Sequence, residues 1–545
     1  MKHRRFSIAF LRTVCALLFV GTLFIPLGSA RTEEPDYTLT ELRKDRKKTA
    51  QRKRRIIFNN DGDDFEGSGG PENDRTEESA AMTATPEGLL QLRTTALLGS
   101  QVDTIFYSSI HGMKLTFEDS AFNRIYEFPD RKPERRKVAV ENCQALMANY
   151  GMDNLEVMID CARKNGLEIF YSNRMNDNHD WYFPKFLSAI KVRHPEYTIG
   201  HANANTKGTQ SPEETLRLMR QGKKGETALN FGLQVIRDLT VEAMREVCSN
   251  YDIDGIDLDY FRFCTLFPSP VGPEQIEFLN NMMRQIRQMT EEEGLRRGRP
   301  ILISARGINS PQRSLKFGMD LESWLEEDLI DIVMPIHISG QQGSLEGFFE
   351  LAHRFNAPAY PCPRYHRVYE NTWLEVRGEV MSRFAEGADG IATFNRFDPT
   401  HRLWHELGDP DVLRDLDKTY TCLRYLPVTV TEKGSGSLRF LVGDDVKSAP
   451  PPKKKKSVTL RLHVKGLTAN HQLQVDLNGK SLKSATTSPA PSEEPQDIWL
   501  EFTPAATLFG VPLNLVTARL AQPGKAIKID DAKLDVLYFA DRTGK

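Results

Sequence analysis

Between residues 55 and 416, short β-branched or aromatic runs alternate with longer stretches whose apolar residues recur at helical spacing. No other feature restricts the fold as much. The strand-like runs are 55–60 (RIIFNN), 102–109 (VDTIFYSS), 167–173 (LEIFYSN), 255–261 (GIDLDYF), 301–306 (ILISAR), 330–336 (IDIVMPI), 357–362 (APAYPC) and 390–397 (GIATFNRF). Helical spacing occupies 86–98, 138–164, 239–251, 273–293, 321–329, 345–355 and 373–387, with helix starts at 240–242 and 320–324 and a stop at Gly166. Strand and helix in regular alternation build a parallel sheet covered by helices, and eight repeats are the count of a TIM barrel, (β/α)8. The fold class expected is therefore α/β. The span exceeds an ordinary barrel because 176–230 is long, polar and Gly-containing, with Trp181-Tyr182-Phe183 near its start. A long loop of that kind on a compact domain points to function.

The pattern changes after Leu416. Runs at 458–464, 472–477, 497–502, 513–518 and 526–529 mostly alternate apolar and polar positions, and Asn478-Gly479 is a hairpin turn signal. These predict an all-β sandwich over 427–545, separable by proteolysis between Leu416 and Pro427. The cluster Lys453-Lys454-Lys455-Lys456 after Pro450-Pro451-Pro452 reads as a solvated loop.

Residues 1–30 read as a signal peptide: Lys2, Arg4, Arg5 and Arg12 precede an apolar run at 13–27, and Gly28-Ser29-Ala30 offers a cleavage site. The apolar run is short for a bilayer span. The expectation is a secreted, periplasmic or cell-envelope protein with no other transmembrane segment. Residues 31–54 read as a solvated polar leader. Cys143, Cys161, Cys248, Cys264, Cys362 and Cys422 are widely spaced without a C-x-x-C pair, so they read mainly as buried small hydrophobes and a zinc site is not expected. Lys plus Arg (72) balances Asp plus Glu (74), which leaves no excess of positive charge for nucleic acid. The pattern calls for no cofactor and does not define an oligomeric state.

The chemistry concentrates in Asp254-Gly255-Ile256-Asp257-Leu258-Asp259-Tyr260-Phe261-Arg262. On a strand, Ile256, Leu258 and Tyr260 face one way and Asp257, Asp259 and Phe261 the other. Two carboxylates turned into a barrel interior near the C-terminal end of a strand are costly unless paired or catalytic, and that end is where TIM-barrel active sites form. The alternative is that both aspartates anchor arginines inside the barrel.

The eight residues from Asp254 resemble the D-G-x-D-x-D-x-E signature of family 18 chitinases, whose final Glu is the general acid. Phe261 stands at that place and cannot transfer a proton. From about Arg55 to Leu416 the chain is also similar to bacterial glycosyl-hydrolase-like barrels described as family 10-type, distinct from xylanases. The similar features are Asn173-Arg174-Met175-Asn176-Asp177 with His179-Asp180, the 254–262 strand, Ser304-Ala305-Arg306, Gly318-Met319-Asp320 with Trp324, and Gly387-Ala388-Asp389-Gly390 leading to Phe394-Asn395. The resemblance implies a glycosidase fold and a carbohydrate substrate.

Glycoside hydrolysis needs two carboxyl groups flanking the scissile bond. Asp259, the outer member of the pair, is expected to be the acid, and Asp257 to hold its orientation and charge state. Asp177 is the expected second carboxylate, with Asp61 and Asp63 in reserve. Asn173, Arg174, Arg306, Asn395 and Arg396 are candidates for sugar hydroxyls or a carboxylate. His337 and His179 are candidate auxiliary groups, and Trp181 with Tyr182 is a candidate stacking platform. The acidic stretch 59–64 lacks a full calcium-loop pattern, so no metal is expected. The function read from these residues is an exported glycoside hydrolase. The alternatives are a non-catalytic carbohydrate-binding protein and a cell-envelope structural protein. The N-terminal reading has a direct check: sequencing the native protein should return a start near residue 31, and a start at Met1 or Lys2 would contradict it.

Overall fold

The computed structural model describes residues 37–69, 74–108, 112–127, 134–205, 210–222, 227–261, 263–336, 343–363, 373–394, 396–423, 426–432, 434–483, 485–490, 492–522 and 525–540. The expected signal peptide, His337, Asn395 and Arg262 lie outside them. No described helix is long and apolar enough to cross a membrane.

Seven parallel strands form one sheet: β1 (Ile56–Asn60), β2 (Val102–Tyr107), β3 (Glu168–Arg174), β4 (Gly255–Asp259), β5 (Leu302–Ile308), β6 (Ile332–Ile336) and β7 (Ile391–Ala392). Their order is β6-β5-β4-β3-β2-β1-β7, so the sheet curls until its first and last members approach. Strands buried on both faces read as near-continuous apolar runs, and β1, β4, β5 and β6 are buried along their whole length.

The remaining gap is spanned by the segment expected as a strand at 357–362. It makes isolated parallel bridges to β6 (Val333 with Ala359, Ile336 with Cys362) and receives the Ala392 N–H at the Pro361 carbonyl (3.0 Å). Pro358, Pro361 and Pro363 carry no N–H, so the segment cannot run a regular ladder. The barrel sheet is nearly closed, with seven strands in place of the expected eight. The expected run 390–397 shortens to β7, whose ladder with β1 pairs only Ile391 and Ala392.

Strand alternation sorts the side chains as the sequence pattern requires. Ile256, Leu258 and Tyr260 join the large cluster between sheet and helices. Ile57, Phe106, Phe170, Leu302, Ile332 and Tyr360 belong to a separate cluster inside the sheet. Phe106 and Phe170 stack there at 4.7 Å. Gly255 is obligatory beside them, because a Cβ would sit 2.2 Å from the Phe170 ring. The N-terminal end of the barrel is closed by a buried ion pair in which Arg54 donates to both oxygens of Glu168 (2.6 and 2.9 Å) and Thr104 donates to the same carboxylate (2.9 Å).

Three local expectations are corrected. Within the supposed leader, Leu39–Ala50 is a helix, capped by Thr38 and Glu41. It buries Leu42, Arg46 and Ala50, and Arg43 donates to Glu291 (2.8 Å). The single helix expected at 138–164 is two, Glu134–Tyr150 and Asn154–Asn165, because Gly151 takes a positive φ (68°) and Asp153 starts a new helix with a capping box. The helix start expected at 240–242 falls inside Gln234–Asn250, where the Thr240 hydroxyl donates to the Ile236 carbonyl instead of capping. Asp320 does cap its helix, and Gly166 does end one with φ 67°.

Beyond the barrel come β8 (Lys418–Thr421), β9 (Val428–Val430), β10 (Ser435–Leu441), β11 (Lys454–Leu467), β12 (Leu473–Leu477), β13 (Lys480–Ser481), β14 (Thr486–Ser488), β15 (Gln496–Phe502), β16 (Leu513–Leu520) and β17 (Ile527–Ala540). They form a six-stranded and a four-stranded antiparallel sheet that share one apolar core. Asn478 and Gly479 both have positive φ (51° and 77°) and turn β12 into β13. Lys454, Lys455 and Lys456, expected in a loop, are strand residues paired with β17. Five of the six described cysteines are buried and Cys264 is partly exposed.

The boundary expected at Pro427 is also misplaced, because β8 lies before it and pairs with β17. This strand presses on the barrel helix Trp373–Glu386. A Cβ on Gly378 would meet the Thr419 carbonyl oxygen at 2.2 Å, and one on Gly443 would meet the Met381 carbonyl at 2.2 Å. Ser382 seals the contact by donating to the Leu441 carbonyl (2.7 Å). Backbone therefore meets backbone across this seam. Gly378→Ala should cost about 1–3 kcal/mol by overpacking and lower the melting temperature. Gly347→Ala, at a helical glycine with open space around it, should not. Equal melting temperatures for Gly378→Ala and wild type would show that the seam yields freely.

Candidate active site

The C-terminal strand ends bring Asn59, Ser172, Asp257, Asp259 and Arg306 together. Asp257 pairs in register with Ser172 and Ser304, and Asp259 with Arg174 and Arg306. Arg306, fully buried, is the hub: Nη2 contacts Asp257 Oδ2 at 2.5 Å and Ser172 Oγ at 3.4 Å, while Nη1 reaches Asp259 Oδ2 and Asn59 Oδ1 at 3.4 and 3.3 Å. Ser172 donates to Asp257 Oδ2 at 2.7 Å. Both aspartates thus anchor an arginine inside the barrel, the alternative weighed from the sequence. Asp257 is wholly buried and Asp259 is 3 % exposed, so Asp259 is the outer member, as expected.

The two carboxylates are held differently. Burial pushes Asp257 up to about 6; Arg306 opposes this, the Asp259 charge adds to it, and the Ser172 and Ser304 hydroxyls pull it down. Among the described residues Asp257 Oδ1 has no hydrogen-bond partner. Asp259 accepts from the Phe261 N–H at Oδ1 (3.0 Å) and from Arg306 at Oδ2. Burial thus favours a proton on the inner aspartate, Asp257, at mildly acidic pH. Phe261 packs edge-on to Phe394 (5.7 Å, 87°) and joins the interior cluster, so the place of the chitinase acid is filled by apolar packing.

A second carboxylate group surrounds Arg174, which ends β3. Its guanidinium lies 3.2 Å from Asp177 and 4.0 Å from Asp61, and its pKa is raised because Asp177, Asp61, Asp63 and Asp259 outweigh burial. Burial pushes Asp177 up, yet the hydrogen bond from His179 (Nδ1 to Oδ1, 2.7 Å), its charge and Arg174 together hold it well below the carboxylate range. His179 stands edge-on to Phe263 at 4.9 Å. Asp61 is likewise drawn below its usual value, burial notwithstanding, by Arg93, which donates to it at 2.6 Å, and by Arg174. Arg174 thereby links Asp177 electrostatically to the Asp257–Asp259 pair.

The long loop is folded. Asn176 donates to the Leu229 and Thr265 carbonyls (2.8 and 2.9 Å) and accepts from the Leu229 N–H (2.9 Å). Lys191 pairs with buried Asp180 at 2.8 Å. On this anchored base Trp181, Tyr182 and Phe183 are 38, 63 and 52 % exposed, with the first two rings 4.9 Å apart. They are the exposed aromatics nearest in sequence to Asp177.

Other candidates fare differently. Asn173 is buried and accepts from the Tyr126 hydroxyl at 2.6 Å. Arg396 is buried beside Glu379 and Asp398, and burial pushes it down to about 10. Asp254, the first residue of the motif, ties Arg163 and Arg299 at the opposite end of the strand and has no place in the site. Sequence reasoning missed Asn59, Ser172, Arg93 and Tyr126. Asn59 and Ser172 carried a signal, since both occupy inward positions at strand ends. Arg93 and Tyr126 come from helical segments distant in sequence and carried none.

The raised pKa of Asp257 has a definite sign for stability. Between the ordinary carboxylate value and about 6 the folded state holds a proton that the unfolded state has lost, so stability falls as pH rises through that window. Asp257→Asn removes this dependence. Its melting-temperature deficit relative to wild type should shrink from pH 4 to pH 7, and a constant deficit would contradict the assignment.

No protein-family model and no curated protein matches this chain, so the family 10-type resemblance gains no support there. Among solved structures it is similar to a glycoside hydrolase family 18 N-acetylglucosaminidase from Paenibacillus barengoltzii, at 12% identity and TM-score 0.28, over 51% of this chain and 66% of that one. It is similar to an alpha-L-fucosidase from Paenibacillus thiaminolyticus, at 14% identity and TM-score 0.35, over 66% of this chain and 49% of that one. It is also similar to a family 18 chitinase from Chromobacterium violaceum, at 9% identity and TM-score 0.32, over 90% and 92% of the two chains. The chain thus spans half to two thirds of the first two. Its structural neighbours are glycoside hydrolases.

Proposed function

We propose that this protein is an exported glycoside hydrolase acting on a polysaccharide or glycoconjugate at the C-terminal face of an eight-position barrel, with the C-terminal sheets as an accessory β-sandwich. The observation that carries the reading is the cluster of carboxylates at the strand ends, Asp257 and Asp259 about Arg306 and Asp177 about Arg174. Buried charge of this density is costly to assemble, and perturbed carboxylates of contrasting pKa are what acid and base roles require. Asp177, kept ionised by His179 and Arg174, is the base or nucleophile. Asp259, the rim member of the pair, faces the substrate as the acid, and Asp257 beneath it, which stays protonated up to about pH 6, holds its orientation and charge state. Arg174 and Trp181 line the sugar's path, Asn173 supports the strand end through Tyr126, and Arg306 holds the pair's geometry. His337, Asn395 and Arg396 are proposed to complete the binding face.

A second reading has its own observation. Arg306 contacts both aspartates and Phe261 fills the chitinase acid position, which suits a barrel that binds glycans without cleaving them. Reducing-end release across a polysaccharide panel separates the two. Asp259→Asn should retain the fold and glycan binding while lowering turnover by roughly 10²- to 10⁴-fold. Turnover should decline as pH rises above about 6, where Asp257 loses its proton. Wild-type turnover in Asp259→Asn alongside an inactive Asp177→Asn would move the acid to the loop after β3. No release from any substrate would leave the binding protein.

A further inference from the structure

The outward face of the six-stranded sheet has two parts. One is covered by the barrel helix Trp373–Glu386: Lys533 pairs with Glu375 at 2.8 Å, and a Cβ on Gly378 would meet the Thr419 carbonyl oxygen. On the other part β15 turns out Trp499, partly exposed, opposite His463 of β11, the two rings 4.9 Å apart and inclined at 41°. The polar groups around the indole are immobilised. Asp530 takes His463 Nδ1 at 2.5 Å and Lys465 Nζ at 2.8 Å. Arg461, with its guanidinium 5.8 Å from the indole centroid, pairs with Asp535 at 2.6 Å.

His463 and Lys465 thus share one carboxylate, and Arg461 has another. Asp497 and Glu501 flank it on the same strand and the same face, are exposed, and have no ion pair among the described residues. The local surplus is therefore of hydrogen-bond acceptors beside an aromatic face. A polyanion would be repelled by it, and an apolar partner would strip water from two unpaired carboxylates. A neutral sugar suits both features, since its C–H face lies on the indole and its hydroxyls donate to the carboxylates.

We propose that Trp499, with Asp497 and Glu501, forms a binding platform for neutral polysaccharide, distinct from the strand-end site. The choice of ligand class rests in part on the glycosidase reading. The test uses the full chain and three insoluble probes, cellulose, chitin and starch, at low and high salt, with hydrolysis of soluble oligosaccharides measured in parallel. Wild type should be retained on at least one probe at both salt concentrations. Trp499→Ala should lose retention by about tenfold, with unchanged melting temperature and unchanged soluble activity, and Trp499→Phe should recover part of it. Retention equal to wild type in Trp499→Ala overturns the proposal, as does failure of wild type to bind any probe. Retention abolished by high salt also overturns it, because that marks a cationic partner held by the carboxylates. Absence of soluble activity with Trp499-dependent retention would refute the hydrolase while leaving the platform standing.

Discussion

A guanidinium with no exposed surface sits between two carboxylates inside the barrel, and the strand ends around it are arranged to make that tolerable. Each of these charges alone would be prohibitively expensive in such surroundings. Arg306 meets the requirement by reaching Asp257, Asp259, Ser172 and Asn59 at once, drawing groups from β1, β3, β4 and β5. The register of these strands is therefore tied to a polar network as well as to apolar packing. A one-residue slip of β4 would turn both aspartates outward into the layer occupied by Ile256 and Leu258.

The same network explains why two neighbouring aspartates differ. Asp257 sits one layer deeper, where burial dominates, and one of its oxygens has no partner among the described residues. Asp259 sits at the rim, with N–H donors on both oxygens. On the neighbouring strand β3, Arg174 performs a similar office for Asp177 and Asp61. An arginine thus stands between the carboxylates of each group. Such an arrangement keeps negative charge available without leaving it uncompensated. The anchored loop adds an aromatic surface beside it.

The C-terminal sheets are bound to the barrel by close backbone contact at Gly378 and Gly443. That seam makes them part of the barrel's own packing, although the two regions have separate apolar cores. Surface left free by the seam, around Trp499, is polar and aromatic. Division of the outer sheet face into a covered and an open part follows directly from where helix Trp373–Glu386 lies.

The alternation of apolar runs was enough to place six of the seven barrel strands within a few residues, because burial on both faces leaves a continuous apolar signature. It also determined which face of β4 carries Asp257, Asp259 and Phe261, since a strand's period of two admits only one sorting. It could not show that residues 39–50 pack, because their buried residues include Arg46, whose partners at Glu291, Asp328 and Asp331 lie far along the chain. Nor could it show that 357–362 would bridge two strands without becoming one, or that β8 would cross the expected boundary, since both depend on neighbours distant in sequence. The identities of the acidic residues were legible; their partners were not. Whether an aspartate is a free acid or an arginine's counter-ion depends on what stands 3 Å away, and only the pairing of β4 with β5 brings Arg306 there.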